Sequence, residues 1–273
     1  MSGFRIGSIP LIIIMVIIAI VSLFPFWLMI NMGTYYSNDL YTSIKIIPGN
    51  YLLQNLKTLS TINYPRYYMN SLVVALSCAA LTVLVCSMAG FAFSKYRFKG
   101  KNVLMQIVLL SMLVPLQLGV VGFVIEMKFF GWIKTLLPLI IPNAASAFGV
   151  YWMTQYTKGA IPDSVIESAY IDGCNDFRVY VQIAMPFMRP ACFTLALLSF
   201  LWSWNAFMVP SIIITTEKLF TIPLGIRQLA TQYRMDVAAQ ILGLTFGTLP
   251  MLLVFAAFSK NLISGLAVAA VKE

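Results

Sequence analysis

With 273 residues, 60% of them hydrophobic and only 10% charged, and a mean hydropathy of +0.87, the chain is not an ordinary soluble domain, which carries about a quarter charged residues. Its net charge of +9 is dispersed rather than gathered in a basic patch, which gives no footing for nucleic-acid binding. It has no histidine, and its four cysteines show no CxxC spacing, so neither a zinc site nor a disulfide framework is favoured and reduced, packed thiols are expected.

Charge-free apolar runs cover 10–38, 67–94, 102–125, 135–157, 190–216 and 237–259. A helix needs about twenty apolar residues to cross the hydrocarbon. The direct expectation is an all-α integral membrane protein with six transmembrane helices. Residues 1–7 hold one arginine, and the run after them is too long for a cleavable signal core, so the first helix is expected to stay. Pro25 is expected to kink it. An outer loop follows over 35–66, with a turn at Pro48-Gly49. Ala89 and Gly90 are small enough to let helix backbones approach closely. Pro115, Pro138 and Pro142 interrupt the third and fourth runs, which is tolerated where protein or a cavity surrounds the break.

With the N-terminus inside, ten of the 18 basic residues fall on the inner side and eight on the outer. The useful part of that bias is Lys95, Arg97, Lys99 and Lys101, four charges in one short turn. The six runs contain no acidic residue, the acids being confined to loops.

The longest polar interruption in the second half is 161–190, which holds Asp163, Glu167, Asp172 and Asp176, four of the nine acids. Its chemistry reads as helix, turn, helix. Pro162 suits the approach to a helix. Ser164-Val165-Ile166-Glu167 has the form of a capping box. Val165, Ile166, Ala169 and Tyr170 share one side at helical spacing. Gly173 stops the helix, since glycine takes the left-handed conformation without a Cβ clash. Asn175 or Asp176 can cap a second helix carrying Phe177, Tyr180, Val181 and Ala184 and ending before Pro186. Such a hairpin in a membrane chain is a docking knob for something soluble.

Beyond it, Trp204 stands 14 residues past Pro190. At about 1.5 Å per residue that is roughly 21 Å into the bilayer. An indole offers a flat apolar face and Asn205 offers donors and acceptors, with Ser199 and Ser203 one turn apart beside them. The alternative is an interfacial anchor and an interhelical hydrogen bond. Residues 218–236 form an outer segment in which Gln228, Gln232, Tyr233 and Arg234 are the candidate contacts, and the tail after 261 is too short to cross again.

Glu167-Ser168-Ala169, Asp172-Gly173, Phe177, Ile183, Pro186 and Pro190 resemble the EAA loop of binding-protein-dependent ABC importer permeases, E-A-A-x-x-D-G-A followed by I-x-x-P. Ser168 and Cys174 replace its usual alanines, both still small. Asn50-Tyr51, Asn70-Ser71-Leu72 and 89–94 are similar to other signatures of that family. Trp204-Asn205 with Pro210 resembles the W-N-x-x-x-x-P of its carbohydrate branch. Residues 218–226 resemble its outer T-L-P-x-G-L loop, and 262–272 its ending, departing at Val268 and Ala269. The resemblance touches most of the chain from Asn50 to Lys272.

The resemblance implies a type I ABC importer permease: an N-terminal helix and outer loop over 1–66, a transmembrane core over 67–260 containing a cytoplasmic EAA loop at 158–190, and a cytoplasmic tail over 261–273. It implies that Glu167, Ala169, Asp172, Gly173, Phe177, Ile183 and Pro186 couple to a dimer of ATP-binding subunits. Ser199, Ser203, Trp204 and Asn205 would line the path for a sugar, and Gln228, Gln232, Tyr233 and Arg234 would face an external solute-binding protein. A second permease subunit, a different chain, completes the path, and both termini lie in the cytoplasm of a bacterial or archaeal cell. No catalytic, cofactor or metal residue is expected here: the chain lacks a G-x-x-x-x-G-K-[ST] loop, so ATP and Mg belong to the partner. The competing readings are an ABC permease for a non-sugar solute, a secondary transporter and a membrane enzyme. Runs without acid or histidine weigh against proton coupling, and no general acid–base or metal constellation supports an enzyme.

Overall fold

In the computed structural model, residues 9–231 and 234–270 are described. The chain is helical almost throughout. In order it forms α1 (Ile9–Met32), α2 (Leu52–Leu59), α3 (Tyr64–Lys95), α4 (Lys101–Leu113), α5 (Val120–Phe129), α6 (Leu137–Ala144), α7 (Ala147–Ala160) and α8 (Asp163–Ile171). There follow α9 (Asp176–Arg178), a π-helical stretch Val179–Ala184, α10 (Met185–Trp204), α11 (Met208–Ile213), α12 (Ile222–Ile226) and α13 (Val237–Ala270). The exception is a two-residue antiparallel ladder, β1 (Ala230–Thr231) with β2 (Arg234–Met235), pairing Ala230 with Met235 and Thr231 with Arg234.

Four helices among the described residues are long and apolar enough to cross a membrane: Pro10–Met32, Tyr64–Lys95, Asp176–Trp204 and Val237–Ala256. Lys101–Leu113 and Gln117–Phe129 pass as a pair bent by 90°, which makes five. The six continuous runs expected from hydropathy thus become four or five spans. Breaks in the third and fourth runs are the reason. Pro115 breaks the third run, and the fourth is divided at Ala145 (φ −93, ψ 57) into an 8-residue α6 containing Pro142 and a 14-residue α7. The acids are also not confined to loops: Glu126 lies within α5, on its exposed side, Asp163 and Glu167 lie in α8, and Asp176 opens α9.

The chain divides into two compact units, 1–64 with 225–249 and 65–224 with 250–273. In the first, α1 is apolar all round and contains Pro25. Its 24 residues reach about 36 Å, beyond the roughly 30 Å of a hydrocarbon core. The chain after α1 folds back on it. Trp27 Nε1 and Asn31 Nδ2 both donate to the Ile46 carbonyl (2.9 and 3.1 Å), and Thr34 Oγ1 accepts from the Gly49 N–H at 2.6 Å. Asn55 Nδ2 then ties α2 to the Gly33 and Tyr35 carbonyls. Ser37 Oγ accepts from the Ala238 N–H at 3.1 Å, satisfying a donor in the first turn of α13.

In the second unit the main core gathers Phe91 of α3, Met153 and Tyr156 of α7, Ile166 and Ala169 of α8, and Val179, Met188 and Leu195 of the following rod. Two glycines permit the approach. A Cβ on Gly90 would stand 2.4 Å from Met153 Cβ, and one on Gly149 would stand 2.7 Å from Cys86 Sγ. Along α3, Cys78, Thr82 and Cys86 recur every fourth residue and donate to the carbonyls of Leu139, Asn143 and Ser146 (3.1, 3.1 and 3.5 Å), around the α6–α7 break. The four cysteines are unbridged, as expected, three of them buried. At the other end of α3, Tyr67 donates to Glu217 Oε1 at 2.7 Å, and Asn70 Nδ2 to the Lys218 and Phe220 carbonyls. Ser71 Oγ accepts from the Ile222 N–H, so the loop before α12 is clasped to α3.

Candidate functional site

The polar hairpin forms, with one change at its start. Pro162 occupies the N-cap position, where it makes no side-chain cap hydrogen bond, and α8 begins at Asp163. The capping box at Ser164 and Glu167 is therefore absent: helix starts before Ser164, whose carbonyl instead accepts from Ser168 Oγ at 2.8 Å. The stop is as expected. Gly173 has φ +83, the Cys174 N–H donates to the Ala169 carbonyl and the Gly173 N–H to the Tyr170 carbonyl, both at 3.0 Å. That is a Schellman turn, and it satisfies two carbonyls that helix ends leave open. Asn175 rather than Asp176 caps the next helix, its Oδ1 accepting from the Arg178 N–H at 2.9 Å.

The hairpin has two unlike faces. Ile166 and Ala169 point into the core, Val165 is half-buried, and the Tyr170 ring is outside. In the second helix Tyr180 and Ala184 are inward, whereas Phe177 and Val181 are not. Helical phase explains this: Val179, Tyr180 and Ala184 take the inner side, which leaves Phe177 outside. At the tip Ile171 is 86% and Phe177 72% exposed, flanking the turn at Gly173. Glu167 and Asp172 are exposed beside them, while Ile183 packs against the core and Pro186 opens α10 with its ring exposed.

The inner face is locked to helices of the core. Tyr180 shares a 2.7 Å hydrogen bond with Ser87 of α3, and its ring packs on Phe91. Lys95, the last residue of α3, donates to the Ile161 carbonyl and the Asp163 carboxylate. That ammonium, by hydrogen bond first and charge second, holds the Asp163 carboxyl below its ordinary 3.8. Tyr170 donates to Asp176 Oδ1 at 2.6 Å, across the turn. Partial desolvation of this largely exposed side chain, followed by the bonds to Asp176 and Tyr96, pushes the Tyr170 phenol above its ordinary range. Ile171 was not singled out in the sequence, and Lys95 was read there only as one of the charges that set orientation. Ile171 is five residues past Ile166 and so off the buried stripe, a signal that was available; the bond from Lys95 links residues 68 apart and had none.

The candidate path residues sit differently. Trp204 is 3% exposed, stacked on Phe200 (5.5 Å, 18°) and in a T-shaped contact with Tyr68 (5.6 Å, 82°), so the indole serves packing within this chain. Asn205 ends α10 and returns its Nδ2 to the Leu201 carbonyl at 2.9 Å. Ser199 Oγ is buried without a hydrogen-bond partner among the described residues, and Ser203 is half-buried. Of the outer candidates, Gln228 is half-buried in a 3₁₀ turn, and the backbone of Arg234 lies in β2. Gln232 and Tyr233 lie outside the described residues, as do the last three residues of the tail.

The family model described as "Binding-protein-dependent transport system inner membrane component" matches residues 83–267. The arabinooligosaccharides transport system permease protein AraQ of Bacillus subtilis is 34% identical over 209 residues, 77% of this chain and 74% of that one. The lactose transport system permease protein LacG of Rhizobium radiobacter is 29% identical over 91% of this chain and 90% of its own. The trehalose/maltose transport system permease protein MalG of Thermococcus litoralis is 28% identical over 96% of both. A chain in the crystal structure of a bacterial ABC transporter involved in the import of the acidic polysaccharide alginate matches with a TM-score of 0.78, covering 95% of this chain and 99% of that one. At 18% identity the last is a likeness of fold.

Proposed function

Because the chain belongs to the family of binding-protein-dependent transport system inner membrane components, we propose that it is a permease subunit of an ATP-driven importer for a sugar or oligosaccharide, coupled to ATP-binding subunits through the 161–190 hairpin. The relatives named for arabinooligosaccharides, lactose and trehalose/maltose support the substrate class. The observation that carries the coupling is the two-faced hairpin: Ile171 and Phe177 stand exposed about Gly173, while Ile166, Ala169 and Tyr180 join α3, α7 and α10 in one core.

The mechanism follows from that asymmetry. An apolar tip rimmed by Glu167 and Asp172 suits a cleft with an apolar floor and polar edge in the ATP-binding subunit. Close-packed interiors move as bodies rather than deform. Closure of an ATPase dimer would therefore carry α8 and the helices packed on it together, exchanging an inward-facing cavity for an outward-facing one. ATP and Mg are held by the partner. This chain contributes the lever and half of the path, with a second, different permease chain supplying the rest and a solute-binding protein delivering sugar from outside. In this reading the bent α4–α5 pair and the divided α6–α7 pair supply the fifth and sixth crossings, and both ends of the chain lie in the cytoplasm. The packing of Trp204 and the internal bond of Asn205 support their structural alternative.

The test is co-expression with the genomic neighbours and affinity purification, beside Gly173→Pro. Proline cannot adopt φ +83 and removes the N–H bonded to Tyr170. An ATP-binding chain is expected to co-purify with the wild type and be lost from the variant, which still inserts. A wild-type chain that emerges alone and folded, or a variant that keeps the ATPase, overturns the coupling assignment.

A further inference from the structure

The remaining feature without a role is on the loop that follows α1. An open cleft of about 410 Å³ lies there, with an apolar wall from Leu28, Met32 and Ile44 and a polar end from Thr42, Ser43 and Lys45. Lys45 is only 9% exposed. Its Nζ donates to Thr42 Oγ1 (3.1 Å) and Ser43 Oγ (3.0 Å) and lies 4.8 Å from the centre of the Tyr35 ring. No carboxylate pairs with it among the described residues. The one acid between 33 and 64 is Asp39, which is exposed and meets this loop through its backbone carbonyl, accepting from Thr42 Oγ1 at 2.8 Å. The ammonium is therefore part-buried at the edge of the cleft with neutral partners alone, and desolvating a charge is costly until an anion faces it. The Thr42 hydroxyl proton is already committed to Asp39. The Ser43 hydroxyl proton and the third N–H of Lys45 are not, and both are donors suited to an anionic oxygen.

The depth of the loop says which anion. Trp27 and Asn31 hold the Ile46 carbonyl, and Trp27 is five residues before the end of α1, about 7.5 Å deeper than Met32. The strap therefore turns back toward the bilayer. Its isoleucines agree: Ile44, Ile46 and Ile47 are 72%, 53% and 73% exposed, continuous with the stretch 10–27 of α1, every residue of which is exposed. Tyrosines and a tryptophan beside them are typical of the headgroup level.

We propose that this cleft binds the phosphate of an anionic phospholipid at the membrane face where α1 ends, Lys45 and Ser43 holding the phosphate and an acyl chain lying along Leu28, Met32 and Ile44. A cation already inside the wall favours a headgroup with net negative charge over a zwitterionic one, and the apolar wall favours a lipid over a free anion. The proposal rests on α1 crossing the membrane, and it is independent of which solute is carried.

The full-length chain, purified with its partner chains, is reconstituted in phosphatidylcholine with or without phosphatidylglycerol and examined by native mass spectrometry and thermal unfolding. Wild type is expected to retain phosphatidylglycerol and to unfold at a higher temperature in its presence. Lys45→Met is expected to retain about fivefold less, the effect of one cation near an anionic surface, while Lys45→Arg retains it. Ser43→Ala, which leaves the buried stem in place, is expected to show a smaller loss and serves if Lys45→Met does not assemble. Equal retention by wild type and both weakened variants overturns the site. Inorganic phosphate producing the same thermal shift in pure phosphatidylcholine overturns the lipid assignment in favour of a free anion. ATP-driven uptake in the same proteoliposomes reports on transport separately: its absence from wild type with lipid retention intact counts against the importer reading alone.

Discussion

Phe177 and Trp204 are aromatic residues of one continuous rod, and the structure puts them to opposite uses. Phe177 follows a Schellman turn and stands 72% exposed at a hairpin tip; Trp204 closes the last turn of α10 and is 3% exposed. Local periodicity decides between them. Trp204 has Phe200 one turn before it on the same helical face, and the two rings stack. Phe177 sits in the three-residue α9, ahead of the inward stripe of Val179, Tyr180 and Ala184, with no aromatic behind it. An aromatic in a regular helical stripe is core, and one beside a polar turn is surface available to a partner.

The sharpest test of that contrast is Trp204→Ala. Deleting a large buried aromatic costs about 3–5 kcal/mol. The thermal midpoint of the assembled transporter is expected to fall markedly, with Trp204→Phe recovering most of it and the KM for sugar unchanged in Trp204→Phe. A raised KM in a fully stable Trp204→Phe would return the indole to the translocation path. The tip should behave in the reverse manner. Ile171→Asp and Phe177→Asp alter side chains that touch little within this chain, so stability should change by no more than about 0.5 kcal/mol each. If these residues anchor the ATP-binding subunit, each should weaken the association by about 2 kcal/mol or more, roughly thirtyfold. Titration of the purified ATPase against permease in nanodiscs measures this directly. Unaltered binding by both would remove the tip from the interface.

Between these lies Gly173→Ala. A Cβ there meets nothing within 4 Å, but φ +83 costs an L-residue about 1–2 kcal/mol. The loss should appear as fraying of α8 in hydrogen exchange at Gly173 and Cys174, whose N–H groups close the turn, with the core helices unaffected. Gly173→Asn, which tolerates the left-handed region better, should show about half of it.

The hairpin was legible because its signals are local: a proline before it, a glycine with Asp172 at its stop, and an asparagine three residues ahead of the N–H it caps. The capping box misled because serine and glutamate at that spacing also fit inside a helix that starts earlier, and the proline before them had already set the start. The six apolar runs were legible as composition, but continuity was not. Whether a run holding a proline stays one helix depends on who satisfies the freed carbonyls, and around the α6–α7 break residues of α3 about sixty positions away do so. The seat of Trp204 was likewise half visible: Phe200 at i−4 was in the sequence, Tyr68 of α3 was not. Function of the solute path stayed least legible, since a sugar site is a matter of geometry completed by a second chain.

The smallest expected effect concerns the brace at the hairpin's root. Lys95 has 5% of its side chain exposed and Asp163 has 80%, so the two partners of one ion pair live in different media. The carboxylate is solvated and screened, and its loss should matter little. The ammonium is buried and also holds the Ile161 carbonyl, so its loss leaves a backbone acceptor unpaired. Lys95→Met should therefore loosen α8 more than Asp163→Asn, read as faster exchange of the Ile166 and Ala169 amides. The pH dependence has a definite sign. The folded Asp163 carboxyl titrates below its ordinary 3.8, so its contribution is complete above that value and is lost as pH falls through the lowered folded pKa. In wild type, exchange at α8 should rise in that acid window beyond the rise shared by the whole protein, and Asp163→Asn should abolish the extra component while leaving the neutral-pH rate nearly unchanged. An Asp163→Asn protein that loosens as much as Lys95→Met at neutral pH would mean that the exposed carboxylate, and not the buried ammonium with its carbonyl, holds the hairpin to the end of α3.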